Sequence, residues 1–281
     1  MLDCYGITDA DIVASALRER PTLRSLSFSP IFHSQEYGIL ITNHFIHSLV
    51  SLKGLTCLEL SYWRISDQLL SSIAKENPPL RRLDLAYFTG YSYIGVVSLL
   101  SKCQRIQHLV LKRADFLKDR HVALLTSFLG DLVSINLSEC SMLTESALFA
   151  LNEKCPLLNE IVMACANIAY ERVGNCVVNP QIKCLRLANN YVLQDTKIIM
   201  FASNFPNLQL LDLSSCINIS EEGICQVLRR FSKIRHLNLA QCSIMKLRGM
   251  NFEVLKLEVL NLSYTRVDDE ALYKICIVVM K

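Results

Sequence analysis

Bond chemistry needs nucleophiles, acids, bases or metal ligands gathered at short spacing, and this chain offers few such gatherings. Its six histidines stand at 33, 44, 47, 108, 121 and 236. His44-x-x-His47 could present two imidazoles on one helix face, as some metal sites do, but no third ligand adjoins them in sequence. A solvent-facing helix explains the pair equally well. The twelve cysteines are spread over the whole length and never form Cys-x-x-Cys, so neither a zinc cluster nor a dense disulfide framework is expected. Cys103 has His108 five residues on, yet a catalytic thiol needs an activating, electropositive setting that a core cysteine lacks. Phosphate-binding glycine loops, His-Glu-x-x-His and Gly-x-Ser-x-Gly do not occur. The expectation is no metal, no cofactor and no enzymatic activity.

Composition narrows the class further. Of 281 residues, 51% are hydrophobic and 20% charged, which supplies a sizeable core and excludes a disordered chain. A net charge of +3 is too balanced for a protein that holds nucleic acid by its phosphates. The longest apolar runs, such as Ile275 to Met280, are too short to span a membrane. Met1-Leu2-Asp3-Cys4 carries no basic and apolar leader pattern, so a reducing compartment, cytoplasmic or nuclear, is expected. The cysteines should then be free thiols, and the Asn-x-Ser sequons at Asn136, Asn218 and Asn261 accidental.

The elements that must position any site follow from an internal repeat. Leu-x-x-Leu-x-Leu, with other aliphatics allowed, recurs with central residues Leu26, Leu58, Leu83, Leu109, Ile135, Ile161, Leu185, Leu211, Leu237 and Leu260. The flanking positions, three before and two after each centre, are apolar throughout. Most intervals are 26 residues, as from Leu109 to Ile135 or from Leu211 to Leu237. Alternating apolar residues mark a short strand with one buried face. The stretches between them have helical spacing, with starts at Thr8, Ser66, Thr144 and Ser220 and stops at Pro156 and Pro206. Strand, crossover helix and parallel strand at this period predict a right-handed α/β solenoid of about ten repeats. The parallel sheet lines its concave face and the helices its convex face.

Three residues after the last strand aliphatic comes Cys140, Cys216 or Cys242, with Cys4 in the same frame and Asn190 or Thr265 elsewhere. A small polar side chain there can bond backbone groups at the turn leaving the strand. Cys140-x-x-Leu143-Thr144-Glu145-x-x-Leu148, followed by Cys155-Pro156-x-Leu158-x-x-Ile161-x-Met163, resembles the cysteine-containing leucine-rich repeat. Leu208 to Cys216 followed by Ile219-Ser220-Glu221-Glu222-Gly223-Ile224 is an especially close match. The texture is similar to that of plant F-box/leucine-rich-repeat proteins. That resemblance implies a substrate receptor of an SCF-type ubiquitin ligase, acting in ubiquitin-dependent protein catabolism without bond chemistry of its own.

An F-box would precede the repeats and bind a Skp adaptor, and none is recognised within 1–281. Cys4 to Asp9 matches the post-strand half of a repeat, and Ala271 to Ile275 starts a helix, so a single repeat domain over 1–281 is expected with a partial repeat at each end. Skp binding is therefore expected only of a longer, F-box-bearing form. Two irregularities stand out: a surplus around Ser29 to Tyr37, including Phe32, and a short last interval containing Gly249.

Alternation places the residues flanking each strand centre on the exposed strand face. The charged and polar residues there are Glu59, Arg82, Asp84, His108, Lys112 and Asn136, continuing as Glu160, Arg186, Asp212 and His236. This mixed polar row suits a protein partner better than a phosphate backbone. Glu145 and Glu221 are expected on the outer helix face, away from it. Two other readings stay open: a scaffold or adaptor with no ligase link, and a small-molecule receptor built on Arg82, His108 and Lys112, a basic cluster diluted by Glu59 and Asp84.

Overall fold

The structure, a computed structural model, describes residues 9–28, 39–87, 89–168, 177–243, 257–270 and 273. The insertion with Phe32 and Tyr37, the Gly249 connection, Cys4 and the helix expected from Ala271 lie outside the described residues. Two compact units divide the chain, Met1–Leu137 and Ser138–Lys281.

In the first unit the order is α1 (Ala10–Arg18), β1 (Ser25–Phe28), β2 (Ile39–Leu40), α2 (Asn43–Val50), β3 (Cys57–Leu60) and β4 (Trp63–Arg64). It continues through α3 (Asp67–Glu76), β5 (Arg82–Asp84), α4 (Tyr93–Lys102), β6 (His108–Val110), α5 (Asp119–Leu125) and β7 (Ser134–Asn136). Strands β1, β3, β5, β6 and β7 form a parallel ladder in which Leu26, Leu58, Leu83, Leu109 and Ile135 stand beside one another. The centres read from the sequence are thus the register of the sheet. Buried side chains of α3, Leu69, Leu70 and Ile73, close the core behind the strands. The short β2–β4 pair lies beside this ladder and seats Trp63 against Phe45, with ring centroids 5.1 Å apart.

The second unit holds α6 (Glu145–Lys154), β8 (Glu160–Val162), β9 (Cys184–Arg186), α7 (Asp195–Asn204), β10 (Leu210–Asp212), α8 (Glu221–Arg230), β11 (His236–Asn238) and β12 (Val259–Asn261). Its five strands are parallel, with Ile161, Leu185, Leu211, Leu237 and Leu260 in register. Leu208, Leu211 and Leu213 are buried together, as are Ile234, Leu237 and Leu239. Parallel strands joined through outer helices at this period are the leucine-rich-repeat fold, as expected. Among the described residues no helix is long and apolar enough to cross a membrane.

The helix starts were largely legible. Thr144 and Ser220 cap α6 and α8, their hydroxyls accepting from the amides of Ser146 and Gly223 at 3.1 Å. Ser66 occupies the cap of α3 without a side-chain cap bond. Pro156 and Pro206 directly follow the cap residues that end α6 and α7.

A further device ties the start of α3 to that of α4 and the start of α7 to that of α8. The Asp67 carboxylate accepts from the Ser92 amide at 2.8 Å and from its hydroxyl at 2.6 Å. Asp195 does the same for Ser220. Glycine in a helix costs about 1 kcal/mol relative to alanine, yet Gly95 and Gly223 each sit two residues into a helix. A Cβ there would lie 2.2 Å from an oxygen of Asp67 or Asp195. The glycines make room for the clamp.

Among the described residues, the exits of β3 and of β5 to β12 each use one residue in the left-handed region. These are Tyr62, Tyr87 and Arg113 in the first unit, and Glu139, Cys165, Asn189, Ser215, Gln241 and Tyr264 in the second. None is glycine. The bend lets the amide reach the neighbouring strand, as in Ser215 to the Ala240 carbonyl at 2.8 Å. The next residue bonds backward as anticipated: Cys216 and Cys242 thiols donate to Leu187 and Leu213 carbonyls at 3.1 Å, and the Asn190 amide to Leu187 at 2.7 Å.

Candidate functional site

The strand face is built two residues at a time, because each three-residue strand turns its centre inward, buried in all but β12, and both neighbours outward. In the first unit, Cys57, Arg82, His108 and Ser134 form one row, and Glu59, Asp84, Val110 and Asn136 the next. In the second, Glu160, Cys184, Leu210, His236 and Val259 stand beside Val162, Arg186, Asp212, Asn238 and Asn261. All ten residues singled out from the sequence lie on these strands or, for Lys112, just past β6.

The structure brings them together in small groups. Arg82 donates through Nε to Glu59 across adjacent strands. Arg186 lies 3.5 Å from Glu160, which also accepts from the Cys184 thiol at 3.3 Å. His236 approaches Glu258 at 3.6 Å, and Arg235 pairs with the same carboxylate at 2.7 Å. Lys112 sits over the Tyr87 ring, 4.6 Å from its centroid, and Tyr87 stacks on Tyr62 at 4.7 Å with planes 8° apart. Arg82 therefore turns to Glu59 and Lys112 to Tyr87, so the basic cluster with His108 does not converge on one point.

Two of the acids hold the backbone. Asp84 accepts from the Ala86 amide at 2.8 Å, and Asp212 from the amide and hydroxyl of Ser214 at 3.0 and 2.8 Å. Asn238 and Asn261 repeat the arrangement toward Ala240 and Ser263. The side chain of the last strand residue thus closes the turn that follows. Burial pushes the Asp84 carboxyl up from its ordinary value, against the lowering effect of its backbone bond and with a smaller push from Glu59.

Sequence reasoning missed three features. The Tyr62–Tyr87 stack had a signal, since both tyrosines occupy the same repeat position 25 residues apart. Arg235 and Glu258 lie one residue before their strands, where alternation says nothing. A shallow depression of about 170 Å³ in the second unit is floored by Leu210 and Val259 and rimmed by Arg186, Asp212 and His236. One placement needs correction: Glu145 is not on an open helix face. It is 1% exposed, with Lys197 2.6 Å away, because the lysine of α7 reaches across to the first residue of α6.

Among the described residues, the paired histidines singled out from the sequence lie on local partners. His47 bonds the Asn43 carbonyl of its own helix at 2.7 Å, and His44 lies 3.5 Å from Asp11. Among the described residues, no three or more metal-ligating side chains gather. The nine described cysteines are free thiols. Burial pushes Cys103 up to about 11, and Cys155, Cys184 and Cys216 up to about 12, the opposite of an activated nucleophile.

No family model matches the chain. Among solved structures, a chain of the yeast Rad7 and Elc1 complex aligns over 96% of this chain and 76% of its own length, at 16% identity and a TM-score of 0.55. A chain of the TLR13–ssRNA13 complex aligns over 93% and 32%, at 17% identity and a TM-score of 0.48. An internalin C2 from Listeria monocytogenes aligns over 53% and 60%, at 18% identity and a TM-score of 0.41. The first is similar enough to bear on the fold, and it agrees with the parallel ladders described above: the chain has the leucine-rich-repeat fold.

Proposed function

We propose that the chain is a protein-recognition module whose strand face holds a polypeptide partner. We further propose that it serves as the substrate-binding part of an F-box-type SCF ubiquitin-ligase receptor. The observation that carries the first step is the registered strand face. Ten short strands, five in each unit, hold charged, polar and aliphatic side chains on a hydrogen-bonded scaffold with little freedom to lose on binding. The second step rests on the resemblance of the Cys140 to Met163 and Leu208 to Ile224 segments to that family's repeat.

In this reading the chain makes and breaks no bonds. It holds a target near a partner's transfer machinery and so raises effective concentration. A Skp adaptor would engage only a form that carries an F-box, and the place of action would be the cytoplasm or nucleus. A small-molecule role for the strand face is less favoured, because its depression is well below the ~300 Å³ at which ligand pockets begin.

The test uses charge reversal on both faces. Arg82→Glu and Arg186→Glu should each weaken an identified protein partner by more than about 1 kcal/mol, with only a small drop in thermal midpoint from setting a second carboxylate beside Glu59 or Glu160. Glu222→Lys and Glu153→Lys, exposed on helices, should do little. Glu145 cannot serve as this control, being buried. A partner that ignores the arginine changes and responds to the helix changes places the site elsewhere. Ubiquitylation of that partner in a reconstituted ligase containing an F-box-bearing form tests the second step; recognition without ubiquitin transfer leaves a scaffold.

A further inference from the structure

The first unit has a second concave feature, distinct from the strand face. A cleft of about 700 Å³ opens where helices run into strands, lined by three successive turns. Its walls are Asn77-Pro78-Pro79 after α3, Lys102 to Arg105 after α4, and Ser127 to Asp131 after α5. The turns differ in ways that make room. Asn77 ends α3 in the left-handed region, with its amide on the Ile73 carbonyl, and two prolines stop the helix there. Helix α5 is short and finishes as a 3₁₀ turn over Thr126–Phe128. Gly130 follows with open space where a side chain would be. Between these two low turns stands the α4 turn with its two cations.

The charge on this cleft is unbalanced. Lys102 and Arg105 are exposed and have no ion-pair partner among the described residues. One carboxylate, Asp131, faces the same space. Basic residues at helix ends ordinarily complement the macrodipole. Lys102 at the last residue of α4 fills that role, but Arg105 lies beyond the Cys103 cap and points to a different use. Around the cations the lining is mixed, with Phe128 and Pro79 apolar and Asn77, Gln104 and Ser127 able to bond a main chain.

We propose that this cleft docks a short acidic segment of a partner protein. A side-chain carboxylate would lie between Lys102 and Arg105, and a neighbouring apolar side chain would rest on Phe128 and Pro79. A nucleic acid is the less favoured occupant: two cations offset by Asp131 can neutralise few phosphates, whereas backbone binding draws its strength from many. A peptide alternates acid, apolar and amide groups as the cleft does. The surface is separate from the strand face, so it supplies a second contact and stands or falls independently of the proposed recognition role.

The probe is a fluorescein-labelled twelve-residue peptide of alternating Glu and Leu, titrated with the full chain at low salt and read by anisotropy. A lysine–leucine peptide and a single-stranded RNA twelve-mer form the comparison arms. Saturable binding of the acidic peptide is expected, weakening with salt. Lys102→Glu with Arg105→Glu should raise its Kd at least about tenfold. Asp131→Asn, which removes the repulsive group without demanding any new packing, should tighten binding. Arg82→Glu and Arg186→Glu should leave it unchanged. The proposal is overturned if the acidic peptide does not saturate, if the double reversal leaves its Kd unchanged in a chain of unaltered thermal midpoint, if Asp131→Asn fails to tighten it, or if the RNA binds the same site more tightly.

Discussion

Leu211 and Leu237 are 2% and 1% exposed and stand side by side in the ladder, so each is a knob with no alternative packing. Leu211→Ala or Leu237→Ala should destabilise the second unit by about 2–5 kcal/mol through lost burial and the cavity left behind, read as a shift in denaturant midpoint. Unchanged midpoints in both would mean the register is wrong. The same burial acts on the thiols. Below about pH 9 Cys103, Cys155 and Cys216 are neutral in folded and unfolded chains alike, so they add no pH dependence. Above the ordinary value of 9.0 the unfolded chain ionises first, while the folded thiols wait until about 11 to 12. Stability should therefore fall between pH 9 and 12, and Cys155→Ala should make that fall shallower in melts at pH 8 and 10.5. An equal slope in the variant would show that its thiol is not held neutral. These residues were readable because burial follows period. Asp84 and Asp212 were not: their alternation marks them as outward-facing, and only the turn geometry reveals that they accept from amides two residues on.

At the scale of elements, the strands and helix starts were legible because each repeat restates them, while the joints between repeats were not. Nothing in Tyr62, Tyr87 or Gln241 signals a left-handed residue, since glycine or asparagine is the usual mark. The neighbouring strand dictates it, by offering a carbonyl to that amide. Likewise Glu145 and Lys197 are 52 residues apart, and no local rule links the first turns of α6 and α7. The aspartate clamp is such a joint, and it gives a measurable coupling. Asp195→Ala and Ser220→Ala should each cost about 1 kcal/mol, and the double variant less than their sum, because the hydroxyl–carboxylate bond they share is lost only once while the Ser220 amide bond and the Gly223 cap bond are lost separately. Strict additivity would show that the two groups do not act together. Gly223→Ala adds a helix-favouring residue but drives its Cβ into Asp195. It should destabilise the wild type, and Asp195→Ala should recover only part of that loss, because the β-carbon of residue 195 itself lies 2.8 Å from the added one.

At the scale of the whole molecule, each unit is a nearest-neighbour array, in which a repeat is stabilised by the repeats it touches. Burial then grades along each unit. In the second, Leu208, Leu211 and Leu213 are fully buried, whereas Leu257, Leu260 and Leu262 are half-buried and Val259 is 49% exposed. In the first, Leu83 and Leu85 are fully buried, while Leu23 and Phe28 are half-buried. The backbone bonds do not differ in kind: the Leu210 amide reaches Lys183 at 2.9 Å and the Val259 amide reaches Arg235 at 3.0 Å. Exchange with solvent is governed by opening rather than by bond length, and opening is cheaper where fewer apolar side chains must be uncovered. Amides of β12 should therefore exchange at least about tenfold faster than those of β10, and those of β1 faster than those of β5, under conditions where the fold is intact. Leu211→Ala sharpens the test. If neighbours share stability, it should speed exchange in β9 and β11 as well as in β10, and leave β3 and β5 of the first unit nearly unchanged. Uniform protection across β8 to β12, rising and falling together in the variant, would show that the second unit opens as one block and that the nearest-neighbour description fails.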